Sequence, residues 1–411
     1  MEAVQVETIE GQDHQESKKG TSLLRTCFNG LNALSGVGLL STSYALSEGG
    51  WLSLLLLFAV AVLFFYTGLL LHRCMEANPL IRTYPDIGGA AFGWKGRMFI
   101  SIFMSLELYF CAVEFLILEG DSFEKLFPNT TLFASTKLSV KQGFTILGAL
   151  VVLPTTWLKS LGLLSFVSAS GVFASIVVIC SVFWVGAVDG VGFQERGVLF
   201  RKSGLTTAVS MYCYCYCGHA VFPTLRNSMK DRSQFHKVLI ACFSLTTLGY
   251  GTMAVLGYLM YGQNIMSQVT LNIPLEKISS QIAIYATLIN PLSKYALIIT
   301  PVATSIEEKL PYFLTGRSIN IVVRTVLVLS TLTMALTIPF FGSVMSFIGS
   351  FLGVVVAILF PCICYLKLSG PWRRLGLELM MLALVLLVGS LIVTVGTYDS
   401  VRKIIGDLRS E

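Results

Sequence analysis

The chain has 411 residues, of which 54% are hydrophobic and only 13% are charged, and its mean hydropathy is +0.74. Because soluble domains carry about 25% charged residues, this composition excludes an ordinary soluble globular protein and predicts a polytopic membrane protein surrounded by lipid. The net charge of +6 requires no nucleic-acid partner, since lysine and arginine between spans serve to orient a membrane protein.

The two termini are predicted to lie outside the membrane. Residues 1–21 are polar and lack the apolar core of a cleaved signal peptide, so we expect a disordered cytosolic tail there. Residues 22–398 form the predicted transmembrane domain, and residues 399–411 form a second tail. Windows of membrane-spanning length predict eleven helices, at 22–47, 50–74, 97–120, 142–158, 161–187, 204–225, 237–262, 278–304, 318–340, 342–366 and 374–398.

Positive charge predicts the orientation of these spans. One set of alternate loops is richer in lysine and arginine, as in the cluster Arg226, Lys230 and Arg232, and such loops face the cytosol. The N-terminus is therefore predicted to be cytosolic and the C-terminus luminal or extracellular. The glycosylation sequon that begins at Asn129 then falls on the non-cytosolic side, where it is open to modification.

Two of the spans carry glycine at matching places. The first span contains Ser35-Gly36-Val37-Gly38, and the sixth contains Cys217-Gly218 followed by Pro223. Glycine inside a helix costs about 1 kcal/mol relative to alanine, so we expect both helices to be discontinuous. Paired breaks of this kind mark the binding site of a transporter built from inverted repeats. The alternative interpretation is that the glycines only allow close packing of helices.

The position of the breaks predicts the domain organisation. They stand at the first and sixth spans, so two inverted repeats of five spans would cover about 22–187 and 204–366. The helix at 374–398 is then an addition to the repeats. No residue-level identity relates the halves, and the repeat is inferred from the breaks alone.

Unwound backbone also predicts the ligand. Amides at the start of a half-helix suit a carboxylate, and the carbonyls released in the sixth span suit an ammonium group. A site that offers both favours a small zwitterion, and the common one is an α-amino acid. The predicted substrate-binding residues lie in the two interrupted segments: Asn32, Ser35, Gly36, Gly38, Cys213, Cys215, Cys217 and Gly218. For the cysteines, the alternative is a packing role as small residues.

Four ionisable residues inside spans are the candidates for coupling transport to an ion. Glu107 and Glu114 lie seven positions apart, on one face of the third helix, while Lys294 lies in the eighth and His219 follows Gly218. Intramembrane charges are costly and face the protein interior. Lys294 either replaces a bound cation or forms a structural ion pair. His219 either carries a proton or bonds the loose backbone.

Two other polar features carry expectations about the helices around the site. Asn290-Pro291 is predicted to break the eighth helix, where the hydroxyls of Thr287 and Ser293 would either bind sodium or repair the backbone. Arg324 lies near the end of its helix and is expected to extend its side chain to the membrane surface.

The sequence contains none of the motifs of membrane-embedded enzymes that we sought. It contains neither the His-Glu-x-x-His pattern of metalloproteases, nor Gly-x-Gly-Asp, nor paired intramembrane aspartates. We therefore expect no catalytic residues, no metal and no cofactor. The expected coupling ion is the proton, with sodium as the alternative, and the expected partners are an amino acid and membrane lipid. The sequence gives no basis for an oligomeric state.

The interrupted segments and their surroundings resemble the amino acid/auxin permease family of the amino acid-polyamine-organocation superfamily, especially its plant vacuolar branch and the related vesicular inhibitory amino acid transporter. The resemblance rests on LNALSGVGLLST at 31–42, TYPDIG at 83–88, GHAVFP at 218–223 and NPLSKY at 290–295. It covers nearly the whole chain. One departure is Ser43, where the branch usually has proline.

This resemblance implies an all-α fold of the LeuT type with eleven helices, of which helices 1 and 6 are discontinuous. It further implies alternating access and amino acid movement coupled to a proton gradient, often across an endomembrane. On this basis we expect a secondary active transporter that moves neutral amino acids by proton-coupled antiport across an endomembrane such as the vacuolar membrane. Three alternatives remain open: a sodium-coupled permease of this fold, an auxin-like permease of the plasma membrane, and a transporter-like amino acid sensor.

Overall fold

The computed structural model describes residues 20–130, 138–157, 164–311, 316–369 and 376–410, and for residues 164–169 and residue 410 the backbone only. The predicted tail at 1–21 lies outside these ranges except for its last two residues. The glycosylation sequon is described only through Thr130. Asn129 itself is exposed.

The described residues fold into helices joined by turns and short 3₁₀ segments, with one isolated β-bridge between Thr21 and Met229. The helices are α1 Leu23–Leu34, α2 Gly38–Gly49, α3 Ser53–Ala77, α4 Tyr84–Leu126, α5 Val140–Thr156, α6 Leu164–Ala187, α7 Leu205–Cys215, α8 Phe222–Ser228, α9 Phe235–Tyr261, α10 Ile278–Glu307, α11 Arg317–Thr337, α12 Phe341–Leu368 and α13 Leu377–Arg409.

Length and composition identify the helices that can cross a membrane. Among the described residues, eight helices are both long and apolar enough: α3, α4, α6, α9, α10, α11, α12 and α13. The 17-residue α5 is shorter, and α1, α2, α7 and α8 have 12, 12, 11 and 7 residues. A span needs about 20 residues, so each of these four helices provides only half of one. The total of eleven spans stays a prediction.

Both predicted breaks are present. The first separates α1 from α2 at Ser35–Val37, where Ser35 leaves helical geometry with ψ of 81°. The second separates α7 from α8 at residues 216–221. The prediction of discontinuous first and sixth helices is thereby confirmed.

Packing places the breaks at the centre of the bundle. Helix α9 runs along α1 and α2, α7 packs against α2, and α10 packs against α6 and α4. The interior is apolar, and its largest fully buried side chains include Tyr250, Tyr216 and Phe222. The elements of both halves therefore surround one interrupted region.

Two helix boundaries differ markedly from the sequence prediction. The third helix begins at Tyr84 rather than at residue 97, because Thr83 and Asp86 form a capping box at its start. It kinks at Phe92 and Gly93, where glycine adopts φ of +66°. At the C-terminus, α13 continues beyond the predicted end at residue 398 to Arg409.

The predicted break at Asn290-Pro291 is wrong. Helix α10 is continuous from Ile278 to Glu307 through that pair. The Thr287 hydroxyl donates to the Ala283 carbonyl at 2.9 Å and the Ser293 hydroxyl to the Asn290 carbonyl at 3.1 Å. Neither bond reaches the Thr287 carbonyl, which is the acceptor that Pro291 leaves without an amide donor, so both roles predicted for these hydroxyls, sodium binding and backbone repair, stay predictions.

Polar networks close both ends of the bundle. At the Glu48 end, where α2 stops, Glu48 lies 3.2 Å from Arg201 and 3.5 Å from Lys403 of α13. At the opposite end, which we call the His72 end, Arg226 of α8 donates to His72 Nδ1 of α3 at 3.0 Å. Each interrupted helix is thus tied to a neighbour outside the break.

The expectation that Arg324 reaches the membrane surface is wrong. Arg324 is 4% exposed, its Nε lies 3.0 Å from Glu307 Oε1, and its Nη1 donates to the Thr156 carbonyl at 2.6 Å. The guanidinium therefore joins α11, α10 and α5 inside the protein. Its partners lie far away in sequence, so its helix position alone did not reveal them.

We expect replacement of Arg324 by methionine to destabilise the protein strongly. The change leaves Glu307 unpaired in a largely buried place, and breaking such a pair costs about 3–5 kcal/mol. Thermal unfolding in detergent measures the effect, with Lys309→Met, an exposed cation nearby, as the matched control. Equal melting temperatures for the two variants would contradict the structural role of the pair.

Candidate functional site

The two breaks lie against each other in the middle of the bundle. The Cys215 thiol is 3.5 Å from the Gly38 carbonyl, and a Cβ added to Gly38 would lie 3.2 Å from Cys215 Cα. A Cβ added to Gly218 would meet the Leu34 side chain at 2.7 Å. At Gly38 this approach leaves no room for a side chain, and the two segments chosen from the sequence lie side by side; that they bind substrate stays a prediction.

The amides of the first break divide into two groups. Those of Ser35 and Gly36 are occupied by the carbonyls of Leu31 and Leu34, at 2.6 and 2.9 Å. The amides of Val37 and Gly38 open α2, where a helix has no acceptors of its own. Of the predicted anion-binding segment, the N-terminus of α2 is therefore the part available for a carboxylate.

The carbonyls of the sixth break divide in the same way. Cys213 and Tyr214 accept from the amides of Tyr216 and Cys217, at 3.2 and 3.1 Å, and the Cys215 carbonyl accepts from a tyrosine hydroxyl. No described donor bonds the carbonyls of Tyr216 and Cys217. These two oxygens are thus the ones open to an ammonium group.

Lys294 reaches from α10 into the first break. Its Nζ donates to the Asn32 carbonyl at 2.8 Å and to the Ser35 carbonyl at 3.1 Å. The side chain is buried, and no described carboxylate lies within ion-pair distance of it. The geometry favours the interpretation in which the ammonium stands where a bound cation would, over that of a structural ion pair.

A small cavity lies beside Gly36. Its volume is about 10 Å³, and its lining includes Gly36, Ser175 and Asn290. This is room for about one water molecule and too little for an amino acid. Binding of a larger ligand therefore requires side chains to move or helices to separate.

Two buried asparagine oxygens, one on α1 and one on α10, lack hydrogen-bond donors. Asn32 Oδ1 and Asn290 Oδ1 are buried without a partner among the described residues. Both lie against Gly171 of α6, where a Cβ would come within 2.9 Å of Asn290 Oδ1 and still closer to Asn32 Oδ1. The backbone carbonyl of Asn32 thus accepts from Lys294, whereas its side-chain amide oxygen has no described donor. Only the side-chain oxygen is open to a substrate donor.

The carboxyls of α4 face the sixth break. Glu107 lies next to the Cys217 sulfur, and Glu114 lies next to the Tyr214 hydroxyl. Glu107 Oε2 and both oxygens of Glu114 are buried without a hydrogen-bond partner of normal geometry. The structure therefore brings the two predicted coupling carboxyls to α7, as their spacing of seven residues requires.

His219 bonds α3 and neither of these carboxyls. Its Nε2 lies 3.0 Å from Thr67 Oγ1 and 3.1 Å from the Phe64 carbonyl, both on α3. Its Nδ1 is buried without a partner. The ring fastens the second break to α3, which is the backbone-bonding alternative, and its coupling role stays a prediction.

Sequence reasoning missed three polar residues near the site. Tyr250 of α9 bonds the carbonyls of both breaks, and Ser175 of α6 lies 3.2 Å from the Ser35 hydroxyl. Glu119 is a further fully buried carboxyl without a partner, set against Gly148 of α5. For Glu119 a signal existed, because it lies inside the predicted third span. Tyrosine and serine are common in spans and give none.

Comparison with known protein families identifies the family of this chain. The family model described as "transmembrane amino acid transporter protein" matches residues 19–402. The chain belongs to the transmembrane amino acid transporter family. The family consists of transporters, so this member is not an enzyme.

Curated relatives are similar in sequence to this transporter over nearly its whole length. It is 50% identical to amino acid transporter AVT1J of Arabidopsis thaliana over 96% of the chain and 94% of that protein. It is 47% identical to amino acid transporter AVT1I of the same plant, over 97% of the chain and 100% of that protein.

Among solved structures, the transporter is similar to MhsT in complex with L-phenylalanine. The TM-score is 0.56 at 12% identity, over 91% of the chain and 99% of MhsT. At this identity the likeness concerns the fold alone. Together with the two interrupted helices, it confirms the predicted all-α fold of the LeuT type.

We expect alanine at Gly36 and at Gly38 to affect the transporter differently. Gly36 has no heavy atom within 4 Å of an added Cβ, whereas at Gly38 the methyl group meets Cys215 Sγ at 2.9 Å. Gly36→Ala should therefore fold normally but narrow the cavity and weaken substrate binding. Gly38→Ala should lower the stability by about 1–3 kcal/mol through overpacking.

Thermal unfolding and amino acid uptake, measured on both variants, test this difference. Gly249→Ala on α9 is the control, since its Cβ would make only ordinary contact, at 3.6 Å. A Gly36→Ala variant that unfolds more easily than Gly38→Ala would show that the open space beside Gly36 is misidentified.

Proposed function

We propose that this protein is a proton-coupled secondary active transporter that moves neutral amino acids across the vacuolar membrane by alternating access. The observation that carries the proposal is the position of Lys294, whose ammonium group donates to two carbonyls of the first break. A fixed cation at this point removes the need for a bound one.

The substrate would be held at both ends by backbone groups. Its carboxylate would accept from the amides of Val37 and Gly38, where the partial positive charge of α2 is greatest. Its ammonium group would donate to the carbonyls of Tyr216 and Cys217, which have no described donor. Both contacts are available to any α-amino acid.

Preference for neutral amino acids is supported by the cavity beside Gly36. Its lining includes Leu39, Leu118 and Val178, and none of its lining side chains carries a charge. A charged substrate side chain would be desolvated there without a partner, which costs several kcal/mol. An apolar side chain would instead gain from burial.

Protons as the coupling ion are supported by the polar groups around the breaks. Glu107 Oε2 and both carboxyl oxygens of Glu114 are buried without a hydrogen-bond partner of normal geometry, and a carboxyl of that kind gains and loses a proton as its surroundings change. The vacuolar membrane, with the N-terminus in the cytosol, is proposed on the resemblance to plant vacuolar transporters and on the distribution of positive loops.

Uptake into proteoliposomes tests the proposal. The purified transporter is reconstituted, loaded with unlabelled amino acids and supplied with labelled alanine, leucine, lysine or glutamate, with and without an imposed pH gradient. We expect accumulation of alanine and leucine that follows the pH gradient and is unchanged when choline replaces sodium.

Other outcomes would replace specific parts of the proposal. Flux that ignores pH but follows sodium would favour a sodium-coupled permease of this fold. Binding without any flux would identify a sensor. Accumulation of lysine or glutamate in preference to leucine would remove the assignment to neutral substrates.

A further inference from the structure

Tyr250 connects the two breaks through one hydroxyl group. Its Oη lies 2.5 Å from the Leu34 carbonyl and 3.0 Å from the Cys215 carbonyl. Leu34 is the last residue of α1, and Cys215 is the last residue of α7. The phenol is buried on α9, with 1% of its surface exposed.

The C-terminal ends of two half-helices therefore meet at this hydroxyl. Each end carries partial negative charge on carbonyls that the helix itself cannot satisfy. In transporters with interrupted helices, such carbonyls bind the coupling cation. Two of them converging from different breaks would repel each other if nothing lay between them.

Hydrogen-bond donors of the protein already bind both groups of released carbonyls. Lys294 supplies N–H groups to the carbonyls of Asn32 and Ser35, and Tyr250 supplies an O–H between those of Leu34 and Cys215. The phenol has a single proton for two acceptors. It acts as a bridge between the breaks, and its proton can serve either helix end as they move.

We propose that the Tyr250 hydroxyl takes the place of a monovalent cation between the two breaks, so that the transporter joins its interrupted helices without sodium. Tyr250 is then a positioning residue rather than one that touches the substrate. The inference rests on the proposed function for its transport measurement, but its cation measurement is independent of transport.

The surroundings of Tyr250 allow the hydroxyl to be removed alone. Its ring packs edge-on against Tyr216, with centroids 5.6 Å apart, and Tyr216 is itself fixed by a 2.9 Å bond to Thr247. In Tyr250→Phe the ring contacts remain. Only the atom between the two carbonyls is lost, which leaves a position with the oxygen ligands that sodium prefers.

The experiment compares wild type, Tyr250→Phe and Tyr258→Phe in sodium chloride and in choline chloride. Tyr258 is the matched control, because it is a buried tyrosine of the same helix whose hydroxyl bonds the Val198 amide at 2.8 Å and touches neither break. Each protein is measured twice, by thermal unfolding in detergent and by amino acid exchange in proteoliposomes.

We expect sodium to have no effect on wild type or on Tyr258→Phe. Tyr250→Phe should exchange amino acids about tenfold more slowly in choline, as expected for the loss of one hydrogen bond to a buried carbonyl. Sodium should restore part of that rate and raise the melting temperature of this variant alone, since an ion that binds only the folded state stabilises it.

Three results would overturn the proposal: stabilisation of the wild type by sodium, a Tyr250→Phe variant that exchanges at the wild-type rate in choline, or a Tyr250→Phe variant that is impaired and insensitive to sodium. If Tyr250→Phe does not fold, the wild-type comparison of sodium with choline still decides. Failure of the proposed function would look different, as an absence of pH-driven uptake in the wild type.

Discussion

Replacement of Lys294 by methionine is expected to abolish amino acid uptake. The variant removes both donors from the Asn32 and Ser35 carbonyls, and each unsatisfied buried carbonyl costs about 1–3 kcal/mol. Two such losses at the first break correspond to a rate reduction of about a hundredfold or more. Initial rates of labelled leucine uptake into proteoliposomes measure the effect.

The control for Lys294→Met is Lys277→Met. Lys277 directly precedes α10 and is exposed to solvent. This variant should transport at the wild-type rate. Lys294→Arg retains the charge but changes its shape, so it should recover only part of the activity. Uptake by Lys294→Met close to the wild-type rate would show that the carbonyls of the first break need no fixed cation.

Replacement of Glu107 by glutamine is expected to separate exchange from accumulation. Glutamine has the shape of the protonated carboxyl but cannot release the proton. A gradient of one pH unit provides about 1.4 kcal/mol per coupled proton, enough for about a tenfold concentration ratio. We expect the wild type to approach that ratio and Glu107→Gln to remain near equality while still exchanging labelled for unlabelled substrate.

Glu308→Gln, an exposed carboxyl at the end of α10, is the control and should accumulate substrate normally. The same assay on Glu114→Gln and Glu119→Gln compares the three buried carboxyls of α4. If Glu107→Gln accumulates leucine as the wild type does, the coupling proton is held elsewhere, and whichever of the other two variants fails identifies the carboxyl.

The central features of the site could be predicted because they follow from backbone chemistry. Gly36 and Gly218 weaken the apolar helices of the first and sixth spans, and the structure has a break at each of these two glycines. A lysine inside a span must find oxygen partners, and Lys294 finds them in the released carbonyls. The spacing of Glu107 and Glu114 places both on one helix face. Each inference needed only the local sequence.

Features that depend on partners far away in the chain could not be predicted. The hydroxyl of Tyr250 matters because the carbonyls of Leu34 and Cys215 meet there, more than 200 and about 35 residues away. Arg324 can be buried because its guanidinium pairs with the Glu307 carboxylate and donates to the Thr156 carbonyl. Tertiary contacts of this kind leave no periodic pattern in a span.

Local context also overrode one strong sequence rule. Proline removes a backbone donor and usually ends a helix, yet α10 continues through Pro291. Helices α6 and α4 pack along α10, and the helix keeps its course although Pro291 leaves the Thr287 carbonyl without an amide donor. In a membrane, where loose backbone cannot be satisfied by lipid, continuity was the less costly arrangement.

The last helix matters for how this protein should be labelled in cells. Lys403 contacts Glu48 at the end of α2, and Asp407 accepts from Ser343 of α12 at 2.7 Å. A fluorescent protein attached after Glu411 would sit a few residues from these contacts and would load a half-helix of the site. A reporter at the opposite end of the chain leaves both contacts untouched and is the better choice for locating the transporter.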